Sequence, residues 1–186
     1  MATKLTTGKV RFSYVNIFEP KAPQGGGDPV YSVTLLIPKN DTATVQKINA
    51  AMKEARDNYC NRNGANAIPV QFSHTMHDGD GVKDSGESYG AECKGCYVIS
   101  VKSKQRPLII DNFKQDITDP GQVYSGCYGR AVINFYGYSR QGKKGVSASL
   151  LGIQMLSEGE PLGTMATADD FNDGFTDADG GKIDFM

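Results

Sequence analysis

The chain has 186 residues, of which 39% are hydrophobic and 22% charged, which suits one globular domain with its own core and an appendage. No segment reaches the ~20 apolar residues that span a membrane, and the first residues lack the apolar region of a secretory signal, so we expect a cytoplasmic protein. The net charge of −1 is uneven, because residues 165–186 contain six aspartates and one lysine. That segment carries −5, and residues 1–164 carry +4.

The first half of the chain is predicted to form two strands followed by a helix. Apolar and polar residues alternate at the start of residues 10–18, as in a strand with one solvated face. A loop rich in glycine and proline separates this segment from a second strand at 31–37. An amphipathic helix follows, capped by Asn40 or Asp41 and ended by Gly64 in the left-handed conformation, with an apolar face of Val45, Ile48, Met52, Ala55 and Tyr59.

The second half of the chain is predicted to be β. The segments are, in order, a short strand at 68–72, a polar loop at 74–92, a strand at 97–104, an apolar segment at 106–110, and two long strands at 124–138 and 146–156 joined by a loop at 139–145 with three positive charges. Closing such strands into a small barrel buries their edges. We therefore predict an all-β fold with one inserted helix, an OB-fold-like five- to six-stranded antiparallel barrel followed by a disordered acidic tail.

The strand that begins at Tyr124 is predicted to have two contrasting faces. Side chains alternate between faces, and one set is apolar and suited to the core: Cys127, Ala131, Ile133 and Phe135. The other set is aromatic and basic: Tyr124, Tyr128, Arg130, Tyr136 and Tyr138. Because bases stack on aromatic rings while basic side chains follow the phosphates, this face is typical of single-stranded nucleic-acid binding. The alternative is that these tyrosines pack under loops with their hydroxyls in water.

Basic residues elsewhere extend the same surface. Lys102 and Lys104 lie on the polar face of their strand, with Arg106 just beyond it. The loop between the two long strands adds Arg140, Lys143 and Lys144. An OB barrel brings its strand face and hairpin loops into one groove, so we predict that these six residues and the five of the aromatic face bind DNA together. An ordinary solvated face is the alternative interpretation.

Two short motifs leave other functions open. His74 and His77, with Cys93 and Cys96, have the spacing of a tetrahedral zinc site, which would make the protein a zinc-stabilised adaptor between other proteins. The alternative is two loop histidines and two small apolar thiols. The Asp-rich loop after His77 suggests a metal-dependent nuclease, but Val82 replaces a ligand that a calcium loop requires. The sequence contains no catalytic motif, so we expect no enzyme and no cofactor.

The acidic segment at 165–186 has too few apolar residues to fold by itself. It nevertheless carries aromatic residues among its aspartates, which suit partner pockets that are basic at the rim and apolar within. The predicted partner-binding residues are Asp169, Asp170, Phe171, Asp184 and Phe185. Random decoration of a linker is the alternative.

A series of short segments occurs in order along residues 1–163. It comprises Val10-Arg11-Phe12, Phe18-Glu19-Pro20-Lys21, residues 31–39, Asp78-Gly79-Asp80, residues 102–107, residues 124–128, residues 145–154 and residues 159–163. In this series the chain resembles a family of tailed-phage single-stranded-DNA-binding proteins, long catalogued as a domain of unknown function. The resemblance implies an OB fold with the helix after the second strand, and DNA binding without strong sequence preference.

The resemblance also implies a role in phage DNA replication, recombination or repair in the bacterial host cytoplasm. Residues 1–163 would form the DNA-binding domain, and residues 164–186 would form a flexible acidic tail that contacts phage or host replication or recombination proteins. Cys93 and the two histidines lie outside the family pattern, and Met186 follows Phe185 where such tails often end on the phenylalanine. Whether the protein forms a homodimer is left open by the sequence.

Overall fold

The computed structural model describes residues 2–23, 25–163, 168–172 and 174. These residues contain nine β-strands, one α-helix and three short 3-10 turns. In chain order the main elements are β1 (Lys4–Thr6), β2 (Val10–Lys21), β3 (Val30–Pro38), α1 (Thr42–Asn63), β4 (Ser73–His74), β5 (Met76–Asp78), β6 (Cys96–Ser103), β7 (Leu108–Ile110), β8 (Tyr128–Arg140) and β9 (Lys143–Ser157). The prediction of a β fold with one inserted helix is confirmed.

Five of the strands close into a barrel. Each pairs with the next in the order β2, β3, β6, β9 and β8, and β8 pairs back onto β2. Closure is thus the OB-type arrangement expected from the sequence, with α1 between the second and third barrel strands. The prediction that all strands pair antiparallel was wrong, because β6, β4 and β7 all run parallel to β9. A closed ring with an odd number of strands cannot alternate in direction throughout, so at least one parallel pair is unavoidable.

The core occupies the barrel interior. Phe12, Leu35, Ile99, Ile133 and Phe135 are almost completely buried there, and the apolar face predicted for the strand after Tyr124 is confirmed. Helix α1 covers β8 and buries residues at helical spacing, among them Ile48, Met52 and Ala55.

The ends of α1 follow from its caps. The Asp41 carboxylate accepts a hydrogen bond from the Thr44 amide at 3.2 Å, which satisfies one of the free donors of the first turn. Gly64 ends the helix at φ +115° and ψ 147°, a positive φ that glycine adopts easily, although ψ is extended and not left-handed helical as expected.

Two loop predictions were wrong in detail. Residues 68–72 form no strand, and Ile68 is instead buried. The segment at 74–92 includes β5, which pairs with β6, and its remainder covers a second apolar cluster of Leu36, Cys93 and Val98. The sequence pattern did not predict β5, because β5 has only three residues and pairs with a strand that is distant in the sequence. The described residues contain no helix that is both long and apolar enough to cross a membrane.

Candidate nucleic-acid interface

A cleft lies beside the β8–β9 hairpin. It consists of two adjoining cavities of about 510 and 360 Å3, which share Thr75, Tyr136, Tyr138 and Ser147. Tyr136 lies opposite Ser147 in the β8–β9 register, and its side chain is 46% exposed. The aromatic half of the face predicted for β8 therefore forms a wall of an open cleft at this end of the strand.

Two glycines allow neighbouring elements to approach the hairpin. A Cβ atom on Gly137 would lie 2.5 Å from the Cβ atom of Tyr59, so the missing side chain lets α1 bring Tyr59 into the cleft. A Cβ atom on Gly145 would lie 2.3 Å from the Ser73 carbonyl oxygen, so β4 can pair directly with β9. Glycine within a strand commonly marks such a close approach. This signal could have indicated a close approach at the two glycines, but it does not identify Tyr59 or Ser73 as the neighbours, and neither was predicted at this surface.

The tip of the hairpin is tighter than predicted. The expected seven-residue loop is a two-residue turn at Gln141 and Gly142, with φ values of +52° and +79°, which is typical of a type I′ turn. The strands thus extend to Arg140 and Lys143, which face each other in the register and both line the larger cavity. Like charges directly opposite each other are destabilising. Lys144 is exposed but lines neither cavity.

Lys102 lies on the floor of the smaller cavity with Ser100. It pairs with Ser149 of β9 on one side and with Ser32 of β3 on the other. Continuing the register in both directions gives a row of hydrophilic residues across all five barrel strands: Asn134, Ser149, Lys102, Ser32 and Asn16. A polar row with one basic residue, Lys102, therefore leads out of the cleft across the sheet.

Two polar residues missed as contributors to this surface complete the cleft. The Thr75 hydroxyl oxygen is buried without a hydrogen-bond partner among the described residues, and Thr75 lines both cavities. Buried hydroxyls are normally paired, so this group is available to a ligand. His74 lines the smaller cavity, and burial together with the nearby His77 lowers its pKa, so its imidazole is neutral at pH 7.

Tyr124 and Tyr128 lie away from the cleft. Tyr128 is eight residues from Tyr136 along β8, or about 26 Å at ~3.3 Å per residue. Tyr124 precedes the strand, packs partly against the core and donates a hydrogen bond to the Gly159 carbonyl at 2.9 Å. The charged groups of Lys9 and Arg11 lie 5.3 and 5.5 Å from the centre of the Tyr128 ring. The role of Tyr124 and Tyr128 in DNA binding stays a prediction.

Three predicted basic residues also lie outside the cavities of the cleft. Arg130 is exposed and donates to the Thr7 carbonyl at 2.9 Å. Lys104 and Arg106 follow the end of β6, both are exposed, and the Arg106 guanidinium lies 5.9 Å from the centre of the Phe18 ring. Lys104 and Arg106 follow Lys102 along the chain, so a single-stranded nucleic acid that leaves the cleft would reach them. Arg130 instead lies beside β7 and β9.

The histidine and cysteine motifs do not form a recognisable metal centre in the described part of the chain. No group of three or more His, Cys, Asp or Glu residues is placed to hold a metal there. Burial raises the pKa of the Cys93 and Cys96 thiols, which disfavours the thiolate form that binds zinc.

The Asp-rich loop is tied to the end of β3 by Lys39. The Lys39 ammonium donates to the Asp78 and Asp80 carboxylates at 2.6 and 2.7 Å. These hydrogen bonds hold the pKa of both aspartates below the ordinary value and raise the pKa of Lys39. The aspartates are thus already paired with a cation, which explains this sequence motif as a structural contact.

The predicted tail lies largely outside the described residues. Asp184 and Phe185 are not described, nor is the side chain of Asp169. Residues Ala168–Phe171 form a short 3-10 turn in which Asp170 and Phe171 are exposed. The partner-binding role of these residues stays a prediction.

Comparison with known proteins identifies the family. The family model described as "Enterobacter phage Enc34, ssDNA-binding protein" matches residues 3–181 of this chain. The chain belongs to this family. The resemblance found in the sequence is therefore confirmed, and it covers nearly the full length of the chain. A relative in the Acyrthosiphon pisum secondary endosymbiont phage 1, the p50 protein, is 33% identical over 180 residues, which cover 91% of this chain and 93% of that protein.

Solved structures support the same assignment to the Enc34 ssDNA-binding protein family. The single-stranded DNA-binding protein from bacteriophage Enc34, in complex with ssDNA, is 27% identical with a TM-score of 0.74, covering 87% of this chain and 90% of that chain. The gp2.5 single-stranded DNA-binding protein of bacteriophage T7 has a TM-score of 0.61 over 98% of this chain and 99% of that chain. Its identity of 15% makes it evidence of the shared fold alone.

Proposed function

We propose that the protein binds single-stranded DNA in the cleft beside the β8–β9 hairpin and acts in phage DNA replication, recombination or repair. The observation that supports this is that Lys102 of β6 lines the same cleft as four predicted residues of the β8–β9 hairpin: Tyr136, Tyr138, Arg140 and Lys143. A relative from phage Enc34 has been solved with ssDNA bound, and that protein shares the fold of this one.

The cleft has a group for each part of a single strand. The Tyr136 and Tyr138 rings offer stacking surfaces for bases of any type, and Lys102 supplies positive charge for phosphates on the floor. At the tip of the hairpin, a phosphate would relieve the repulsion between Arg140 and Lys143. None of these contacts reads a base edge, so binding has little dependence on sequence.

The proposed protein has two parts with different partners. Residues 1–163 bind DNA, and residues 164–186 form an acidic tail that contacts phage or host replication or recombination proteins. Its place of action is the cytoplasm of the bacterial host, where phage DNA is copied. Sedimentation of the free protein and of its DNA complex tests whether either form is a homodimer.

The proposed activity is binding without catalysis. A nuclease would need free carboxylates for a metal, and Asp78 and Asp80 are engaged by Lys39. A zinc-stabilised adaptor would unfold when its metal is removed. Incubating labelled single strands with magnesium tests for cleavage, and circular dichroism after treatment with a chelator tests the adaptor. Cleavage that is lost in Asp78→Asn, or unfolding by the chelator, would replace the proposed function.

Fluorescence anisotropy with single- and double-stranded oligonucleotides tests the proposal directly. We expect preference for the single strand and a marked loss of affinity in Lys102→Ala. Lys47→Ala is the matched control, because Lys47 is an exposed lysine on α1 that lines neither cavity. Equal affinity for both forms of DNA, or equal effects of the two lysine substitutions, would contradict binding in this cleft.

A further inference from the structure

Tyr14 has a backbone conformation that its residue type disfavours. Its φ is +47°, and the other two positive-φ residues besides glycine in the described chain, Lys114 and Gln141, both lie in tight turns. Tyr14 lies inside β2, where the pairing with β3 shifts between Ser13 and Asn16. A bulky side chain at positive φ is an outlier, and such outliers concentrate at functional sites.

The local structure holds this conformation in place. The Asn16 side chain donates a hydrogen bond to the Tyr14 carbonyl at 3.2 Å, and the Val15 amide donates to the Ser125 hydroxyl at 3.2 Å. The irregularity leaves Tyr14 71% exposed, whereas Val15 packs against the core and Ser13, on the same face as its partner Thr34, is buried. The strain is therefore not compensated by packing of the tyrosine ring.

Tyr14 borders a separate cavity of about 290 Å3. Its lining residues include the aromatic Tyr14, the aliphatic Leu162, the acidic Glu92 and Ser125. The volume is at the lower limit of drug-sized ligand pockets, about 300 Å3, which suits a single planar base. A carboxylate repels phosphate but accepts hydrogen bonds from exocyclic amines such as those of cytosine and adenine, whereas thymine presents a carbonyl oxygen there.

This cavity lies at one end of a polar row that begins in the cleft. Ser100, which lines the cleft, pairs with Thr34 of β3, and Thr34 pairs with Ser13 next to Tyr14. The Thr34 and Ser100 hydroxyls are 3.3 Å apart. Ser100 and Ser13 are separated by two spacings between β-strands, each about 4.8 Å. Single-stranded DNA that leaves the cleft therefore reaches Tyr14 after roughly 10 Å.

We propose that Tyr14 and Glu92 form a second base pocket, which stacks one base of a strand already bound in the cleft and prefers cytosine or adenine over thymine. The pocket rests on the proposed function, because only a strand held in the cleft is directed along the polar row. It adds a modest base preference at one position to binding that is otherwise independent of sequence.

Anisotropy titrations with oligonucleotides of dC, dA and dT test the pocket. At a length of ~15 nucleotides, near the upper site size for one OB fold, Tyr14→Ala should weaken dC and dA binding by about 5- to 150-fold, the range expected for one stacked base. Tyr14→Phe should stay within about twofold, because the ring is kept. Phe113→Ala is the matched control, since Phe113 is similarly exposed but lies on the turn after β7.

Two further variants separate binding from folding and from base choice. Tyr14→Gly should raise the melting temperature, because glycine tolerates the positive φ, while it weakens DNA binding as Tyr14→Ala does. Glu92→Gln should reduce the preference for dC over dT, because the glutamine amide can also donate to the thymine carbonyl.

The outcomes distinguish this pocket from the cleft. If the wild type binds single strands and Lys102→Ala weakens that binding, but Tyr14→Ala does not differ from Phe113→Ala, the pocket is refuted and the cleft stands. If Glu92→Gln leaves the preference for dC over dT intact, the role of Glu92 is refuted. If the wild type binds no single strand at all, the proposed function fails first.

Discussion

Replacing Tyr136 with alanine should separate DNA binding from folding. The Tyr136 ring is a wall of both cavities of the cleft, so its removal takes away a stacking surface. Loss of one stacked base costs about 1–3 kcal/mol, which corresponds to a roughly 5- to 150-fold increase in Kd at 25 °C. The neighbouring residue, Phe135, points into the core and is 1% exposed. It provides the contrasting variant on the same strand.

The stability cost of Tyr136→Ala follows from its exposure. The side chain is 46% exposed, so it hides roughly 100 Å2 of a large aromatic surface. At about 25 cal/mol per Å2 this area contributes at most about 2.5 kcal/mol, an upper bound set by the extended reference chain. Truncation of a fully buried phenylalanine typically costs about 3–5 kcal/mol. Phe135→Ala should therefore lower the free energy of unfolding more than Tyr136→Ala does.

Two measurements are made on each of three variants, of which Tyr136→Ala and Phe135→Ala are the first two. Urea unfolding gives the free energy of unfolding, and anisotropy with a labelled DNA single strand gives Kd. The third is Tyr136→Phe, which keeps the ring and should bind nearly as the wild type does. DNA binding should be measured where each variant is fully folded. If Tyr136→Ala destabilised the fold more than Phe135→Ala and left Kd unchanged, the two faces of β8 would have been assigned the wrong way round.

Three other predictions concern charge. Lys143→Ala should reduce the slope of log affinity against log salt by about 0.7, the value for one phosphate contact with a single strand; a slope equal to that of Lys47→Ala would exclude the contact. Deleting residues 165–186 should raise DNA affinity most at low salt, because a segment of net charge −5 no longer competes for the basic cleft. Weaker DNA binding by the truncated chain would contradict this competition. Phe185→Ala should impair only the recruitment of the partner protein. Lys39 lowers the pKa of its two aspartates, so the stabilisation is present above their unfolded pKa of about 3.9 and is lost as pH falls through the lower folded pKa. Lys39→Met should be less stable at pH 7 and show a weaker loss of stability between about pH 4 and 2, as measured by urea unfolding at each pH; identical pH profiles would refute the linkage.

Local patterns in the sequence determined much of the barrel. Alternation along β8 places Ile133 and Phe135 in the core and Tyr136 outside it, because the side-chain period of a strand is fixed by its backbone. Helical spacing and the short side chain of Asp41 likewise predicted α1 and its N-cap. These features depend on neighbours within one turn or one strand, so they can be read without knowing the fold.

The composition of the cleft depended on pairing between distant strands. The alternation that places Tyr136 in the cleft also predicted Tyr128 on the same surface. The two residues nevertheless lie far apart along β8, and the Tyr128 ring contacts the charged groups of Lys9 and Arg11. Thr75 reaches the cleft because β4 pairs in parallel with β9, a contact across about seventy residues of sequence. No periodicity encodes such a pairing.

The strained conformation of Tyr14 also belongs to the tertiary structure. The sequence shows Tyr14 as one member of an alternating strand, with the same parity as the buried Phe12. The shift of register against β3 reverses that expectation and exposes the ring. The sequence by itself thus determined which residues face inward along regular strands. The pairing of distant strands, with its irregularities, decided which of the remaining side chains share a surface. The physical reason is that a change of register moves a side chain to the other face of the sheet.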